Sequence, residues 1–207
     1  MGIKSPFYII PEFLSPLMCE HVVDDLDFYV ADTDAKLSPQ KMQKTHEQSQ
    51  SMIYERLVQV IPTMEQYYGF EYKGTHPMQF EWFPEESSGT FVCENSNYLR
   101  SKWVRTNSFD ITGILFLSDF QSTIPFDSEY EVYGGKVEFP QHGFGFNPQR
   151  GTIVFYPSGP HFINITAPIL YGDLYQVRVH LTAKMPYLYS PANFPGDYTK
   201  WFDHNNT

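Results

Sequence analysis

Two kinds of hydrophobic spacing divide this chain near residue 74. Before that point apolar residues recur at helical intervals, first from Leu17 to Leu26 and again over residues 50–68. Ser15 and Pro16 supply a helix N-cap and a proline at the first helical position. We therefore predict two helices within residues 1–74, the second kinked at Pro62 and ended by Gly69.

After Gly74 the spacing changes to strict alternation, which is typical of half-buried strands. Glycine, proline, asparagine and aspartate separate the segments, an arrangement that favours a β-sandwich or jelly roll. The predicted strands cover residues 78–83, 90–94, 111–117, 136–139, 152–156, 162–166 and 175–181. We predict a mainly β, single domain over residues 1–207: helical support in 1–74, a jelly-roll core in 75–183 and an aromatic C-terminal tail in 184–207.

Composition narrows the possible partners. The net charge of −10, from 24 acidic and 14 basic side chains, repels phosphate backbones, so we expect no nucleic-acid partner. The apolar runs are too short to cross a bilayer, and the N-terminal residues have no signal-peptide character, which together predict a cytoplasmic protein without a membrane partner. The 18 phenylalanines and 15 tyrosines fit either an aromatic core or protein interfaces.

One motif carries chemistry. Gly134-Gly135 is followed by Val137 and Phe139, then by a turn and an apolar strand at residues 153–155, and then by a Pro-Ser-Gly-Pro turn that precedes His161. This order resembles the core of the iron(II)- and 2-oxoglutarate-dependent dioxygenases, in particular their prolyl-hydroxylase-like branch. The resemblance implies a double-stranded β-helix with N-terminal supporting helices. It also implies an iron(II) centre of two histidines and one carboxylate, with open positions for 2-oxoglutarate and oxygen.

The resemblance places His161 at the position of the late histidine ligand. The early His-x-Asp pair falls within residues 89–96, where no histidine occurs. One strand register puts Cys93 and Asn95 at the ligand positions, and another puts Val92 and Glu94 there. Glu94 could supply a carboxylate and Cys93 a thiolate. We assign structural roles to the remaining six histidines, which are His21, His46, His76, His142, His180 and His204.

The predicted co-substrate site also departs from the family. Residues 172–175 resemble the family's Gly-x-Arg-Tyr, which puts Leu174 at the position of the cation and Tyr175 next to it. Arg178 lies four residues further on, on the same strand face as Leu174, and could bind the 2-oxoglutarate carboxylate in its place.

Two functions remain as predictions. In the first, a degenerate metal site leaves a non-catalytic structural or interaction protein that needs no cofactor. The surrounding sequence resembles dioxygenase-like proteins of tailed phages, which implies protein partners, a homo-oligomer or larger assembly, and a place in a virion neck, tail or baseplate within the host cell. In the second, the chain is an active prolyl hydroxylase with iron(II) held by His161, Glu94 or Cys93, and with 2-oxoglutarate held by Arg178 and Tyr175.

Overall fold

A computed structural model describes residues 5–31, 40–42, 47–124 and 130–194 of this chain. Parts of the predicted acidic loop and aromatic tail, including Asp127, Glu129, Tyr198 and Trp201, lie outside the described residues, as do His46 and His204.

The two predicted helices are confirmed. Helix α1 spans Pro16–Ala31, and the Ser15 hydroxyl accepts a hydrogen bond from the backbone N–H of Met18, as an N-cap does. Helix α2 spans Glu47–Tyr68, beginning three residues before the predicted start, and carries Pro62 inside it. Gly69 follows with φ of 71°, the left-handed conformation that commonly ends a helix. Neither described helix has the length and apolar character that crossing a membrane requires.

The other regular elements are mainly β-strands, nearly all of them paired antiparallel, which confirms the mainly β class. In the first half of the chain they are β1 (Tyr8–Ile10), β2 (Gln40–Met42), β3 (Tyr72–Thr75), β4 (Gln79–Phe83), β5 (Ser96–Leu99), β6 (Lys102–Arg105) and β7 (Ile111–Phe116). In the second half they are β8 (Asp119–Phe120), β9 (Glu131–Gly134), β10 (Val137–Phe139), β11 (Phe144–Phe146), β12 (Ile153–Pro157), β13 (Ile165–Thr166), β14 (Ile169–Tyr171) and β15 (Leu174–Ala183).

The largest sheet has the strand order β1-β12-β7-β15-β4-β2, with β3 also paired to β15. Because side chains alternate across a strand, each strand contributes to two faces. On one face, Phe80, Leu115, Phe155 and Val179 pack against both helices in a single core cluster. The helices therefore support this face of the sheet, as predicted.

Smaller sheets lie over the opposite face. A three-stranded sheet of order β11-β10-β13 packs its Val137 and Phe139 against Ile114, Phe116 and Tyr156 of the large sheet. A second three-stranded sheet has the order β14-β9-β8, and β5 and β6 form a separate hairpin. Two sheets packed face to face with one core between them form the predicted jelly roll.

The structure differs from the sequence prediction near the candidate ligands. The strand predicted over 90–94 is reduced to an isolated bridge between Val92 and Asn164. The strand predicted over 162–166 is shortened to β13, because a 3-10 turn occupies Pro160–Phe162. The β5–β6 hairpin was not predicted, since most of its side chains are exposed and show no alternation of burial.

Candidate functional site

The inner face of β15 carries a row of polar side chains. Val177 and Val179 point toward the helices, so Gln176, Arg178 and His180 point into the sandwich. All three are buried, with at most 2% of Arg178 exposed. Buried polar groups at the centre of a sheet are costly unless they are paired, so their partners define the site.

Arg178 joins two buried glutamates from different parts of the chain. Its Nε donates to Oε2 of Glu81 at 2.8 Å, and its Nη1 donates to Oε1 of Glu94. Nη1 also lies 3.2 Å from the Tyr156 hydroxyl and 3.1 Å from Oδ1 of Asn164. The pairing of β15 with β4 explains the first contact, because Glu81 stands directly opposite Gln176, and Gln176 Nε2 donates to the same Glu81 oxygen at 2.6 Å.

Glu94 is held in the charged form. Burial would raise its pKa, but Arg178 above all, and then His180, Asn164 and Tyr156, hold the pKa of Glu94 below its usual range. The Tyr156 hydroxyl donates to Glu94 at 3.1 Å. Although burial opposes the charged guanidinium, the two carboxylates keep the pKa of Arg178 well above its ordinary value. A fixed ion pair between Glu94 and Arg178 therefore occupies the interior at neutral pH.

His180 extends this network on one side. Its ring stacks on Phe109 with a centroid distance of 4.0 Å, and its Nδ1 lies 3.1 Å from the Thr112 hydroxyl. Its Nε2 lies 4.0 Å from Oε2 of Glu94 and has no hydrogen-bond partner among the described residues. Burial lowers the pKa of His180 to about 4, against the opposing effect of Glu94, so the ring is neutral at pH 7. We name Glu81, Glu94, Tyr156, Asn164, Gln176, Arg178 and His180 the buried network.

The structure separates the three predicted metal ligands. Glu94 is buried in the network, whereas His161 is exposed in the 3-10 turn. The centroid of the His161 ring lies 5.4 Å from that of the Tyr189 ring. The His161 carbonyl accepts a hydrogen bond from His142 Nε2 at 2.8 Å. Cys93 is half-buried, its Sγ lies 3.9 Å from the Ser158 carbonyl, and burial raises the pKa of its thiol.

Asn164 is the residue that faces the early segment. Its backbone exchanges hydrogen bonds of 2.8 and 3.0 Å with Val92, and its Nδ2 lies 3.4 Å from Oε1 of Glu94. Of the two registers left open by the sequence, the structure thus turns Glu94 inward. The residue opposite Glu94 is therefore Asn164, which lies three residues after His161, the predicted late ligand.

The two predicted co-substrate residues lie on opposite faces of β15. Arg178 faces the interior and binds both glutamates, whereas Tyr175 belongs to the core cluster under the helices. Leu174 packs with Phe83, Val132 and Ile169. Sequence reasoning missed Glu81, although a glutamate at the centre of an otherwise apolar strand was a signal that a buried partner existed.

The residues predicted for an iron(II) and 2-oxoglutarate centre make other contacts in this structure. Within the described ranges, no three histidine, cysteine, aspartate or glutamate side chains come together as a metal-binding group. The one buried carboxylate of the predicted set is bound by Arg178, and the cation predicted for the co-substrate is bound by that carboxylate and Glu81. The predicted carboxylate ligand and the predicted co-substrate cation thus neutralise each other.

Comparison with known proteins establishes the fold. No protein-family model and no curated protein matches this sequence. Solved structures do match. A viral collagen prolyl hydroxylase from Paramecium Bursaria Chlorella virus-1, solved as its 2OG complex, is similar with a TM-score of 0.64 and 11% sequence identity. The match covers 89% of this chain and 100% of that one. The chain has the fold of the prolyl hydroxylases.

Two further neighbours agree. A Pseudomonas putida prolyl-4-hydroxylase matches with a TM-score of 0.64 at 11% identity, covering 87% of this chain and 94% of that one. A Trichoplax adhaerens prolyl hydroxylase, solved with a hypoxia inducible factor peptide fragment, matches with a TM-score of 0.61 at 12% identity, over 86% of this chain and 84% of that one. The structural similarity establishes a shared dioxygenase fold. Because the sequence identity is so low, the function has to be inferred from the site itself.

Proposed function

We propose that this chain is a dioxygenase-fold protein that has lost catalysis and acts by binding other proteins. The observation that carries this proposal is the buried ion pair between Glu94 and Arg178, with Asn164, just before β13, in contact with both side chains. The predicted carboxylate ligand and the predicted co-substrate cation are bound to each other. A fold can keep its sheet architecture after its chemistry is gone.

Energetics support this proposal. Turning Glu94 toward a metal would leave Arg178 with one carboxylate, and turning Arg178 toward an oxoacid would leave both glutamates without its guanidinium. Removing one partner from a buried ion pair costs about 3–5 kcal/mol. 2-Oxoglutarate would have to overcome a cost of this size at Arg178 before contributing any binding energy, and iron(II) would have to displace Arg178 from Glu94.

The exposed surface supports a binding role. Several large apolar side chains outside the core face solvent, among them Phe91, Tyr98, Leu170 and Leu188. Aromatic side chains such as Phe91 and Tyr98 are enriched at protein interfaces. On the strength of the sequence resemblance alone, we extend the proposal to a tailed-phage virion. Mass spectrometry of purified virions of the phage that encodes this chain should detect it in stoichiometric amounts. Virions without the chain would refute the extension.

Anaerobic spectroscopy tests the loss of catalysis. Without oxygen, we expect iron(II) and 2-oxoglutarate to produce no visible charge-transfer band with the purified chain and no change in its melting temperature. In a separate assay with oxygen present, we expect succinate release no faster than an uncatalysed control. The viral collagen prolyl hydroxylase, assayed in parallel, controls for reagent quality. A charge-transfer band would refute an inert site, and succinate release above the control would show that the chain still turns over 2-oxoglutarate.

A further inference from the structure

Two surfaces of this chain each combine exposed apolar side chains with charged side chains, and their charges have opposite sign. We name them the hairpin surface, formed by Tyr98, Leu99, Arg100, Lys102 and Trp103, and the acidic surface, formed by Glu85, Glu86, Leu170, Tyr171 and Asp173. We propose that the hairpin surface of one copy binds the acidic surface of a second copy, an inference that rests on the proposed binding function and names its partner.

The hairpin surface presents aromatic rings beside unpaired cations. Strands β5 and β6 pair only with each other among the described strands, and Arg100 and Ser101 form their turn with φ of 48° and 63°. Tyr98 is 61% exposed and Trp103 is 40% exposed, with their rings in edge contact at 5.3 Å. Neither Arg100 nor Lys102 makes an ion pair with any residue in the described ranges.

The base of the hairpin is fixed in place. Arg105, at the end of β6, forms an ion pair of 2.9 Å with the buried Asp110. A cavity of about 440 Å³ beside the hairpin is lined by residues that include Phe91, Tyr98 and Trp103. A rigid base and a neighbouring cavity allow the exposed rings to bind a partner with little loss of conformational entropy.

The acidic surface presents carboxylates beside exposed apolar side chains. Hydrogen bonds bring its parts together: Gly172 N–H donates to Glu85 Oε2 at 3.3 Å, and Glu85 N–H donates to Asp173 Oδ1 at 3.2 Å. Glu86 N–H donates to the Ile169 carbonyl at 3.0 Å. The carboxylates thereby flank Leu170, which is 56% exposed, and Tyr171, which is 42% exposed.

Charge complementarity selects a second copy as the partner. The chain has a net charge of −10, so copies repel each other except where the cations of one meet the carboxylates of another. Two unpaired cations would neutralise only about two phosphates, too few to hold nucleic acid against that repulsion. Because the two surfaces differ, the contact is head-to-tail, and its repetition builds a ring or a filament.

Charge reversal tests the contact. Sedimentation velocity of the full chain at low salt is expected to show concentration-dependent association that weakens at high salt. R100E/K102E and E85K/E86K should each weaken self-association by about tenfold or more, because like charges then face each other. Mixing the two variants should restore association, since the reversed hairpin surface of one fits the reversed acidic surface of the other.

A matched control separates this effect from net charge. K73E/K184E changes the charge by the same amount as R100E/K102E but alters β3 and the segment after β15, so it should leave association unchanged. It also breaks the exposed ion pair between Lys184 and Glu71, a surface contact that contributes little stability, and a thermal melt checks that the variant is folded. A monomer at every concentration, association that survives both reversals, or folded variants whose mixture stays monomeric would each overturn the proposal. A monomer that instead binds an acidic peptide at the hairpin would also overturn it.

The same wild-type preparation distinguishes this inference from the proposed function. Succinate release by a self-associating protein would refute the loss of catalysis and leave the contact in place. A monomer without any such activity would refute the contact alone.

Discussion

Replacing Arg178 by methionine is expected to destabilise the protein strongly. Arg178 is 2% exposed and is the cation shared by Glu81 and Glu94, which are 1% and 6% exposed. Methionine is close to arginine in volume but carries no charge, so R178M leaves two carboxylates in the interior without their guanidinium partner. Breaking a buried pair costs about 3–5 kcal/mol, which for a chain of this size lowers the melting temperature by about 6–20 °C.

Urea denaturation followed by circular dichroism at pH 7 measures this cost. The destabilisation of R178M should shrink as the pH falls, because the orphaned carboxylates of Glu81 and Glu94 can then be protonated, whereas the wild type loses the benefit of its ion pair over the same range. R178K is the matched charged variant: a single ammonium cannot reproduce the separate bonds of Nε and Nη1, so an intermediate stability is expected.

The triple variant E81Q/E94Q/R178M is the decisive control. It removes the cation and both carboxylates together, so no uncompensated charge remains and most of the stability lost in R178M should return. A melting temperature of R178M within about 2 °C of the wild type at neutral pH, or a triple variant no more stable than R178M, would refute the account of the buried network.

Three further predictions follow from the same geometry. The pKa of His180 is lowered to about 4 in the folded chain, so between about pH 6.5 and 4 the unfolded chain binds more protons than the folded chain. The free energy of unfolding should therefore fall by about 3 kcal/mol as the pH is lowered from about 6.5 to 4. H180Q should flatten this slope in acid-titrated urea melts, and an unchanged slope would contradict the assignment. N164A should cost about 1–3 kcal/mol by urea melts, and N164D more, because it adds a buried carboxylate beside Glu94; equal stability of the two would contradict this order. H161A should change stability by less than about 0.5 kcal/mol, because the ring is exposed, and a larger loss would show that His161 has a buried partner.

The large sheet and the helices were predictable because each follows from the spacing of apolar residues over a short stretch of sequence. The Ser15 cap and the apolar repeat predicted both helices, and alternation within residues 111–117 and 175–181 predicted the two central strands β7 and β15. The same alternation put Arg178 on the strand face of Leu174, and both side chains are buried there. The short extended segments were harder, since residues 90–94 contribute one bridge and β5–β6 buries little apolar surface.

The site was less predictable because its partners are distant in sequence. Glu81 and Arg178 are 97 positions apart, and only the pairing of β4 with β15 brings them together. The direction of Glu94 depended on a register that a shift of one residue would reverse. The bridge between Val92 and Asn164 fixes that register and makes Asn164, rather than His161, the facing residue.

Isothermal titration calorimetry under anaerobic conditions tests the central claim most directly. If the guanidinium of Arg178 permanently neutralises Glu94 in the interior, adding iron(II) to the wild-type chain with 2-oxoglutarate present should give the same heats as a titration into 2-oxoglutarate without protein. Saturable binding of one iron per chain, abolished by E94Q, would contradict that claim and show that the carboxylate is available to a metal.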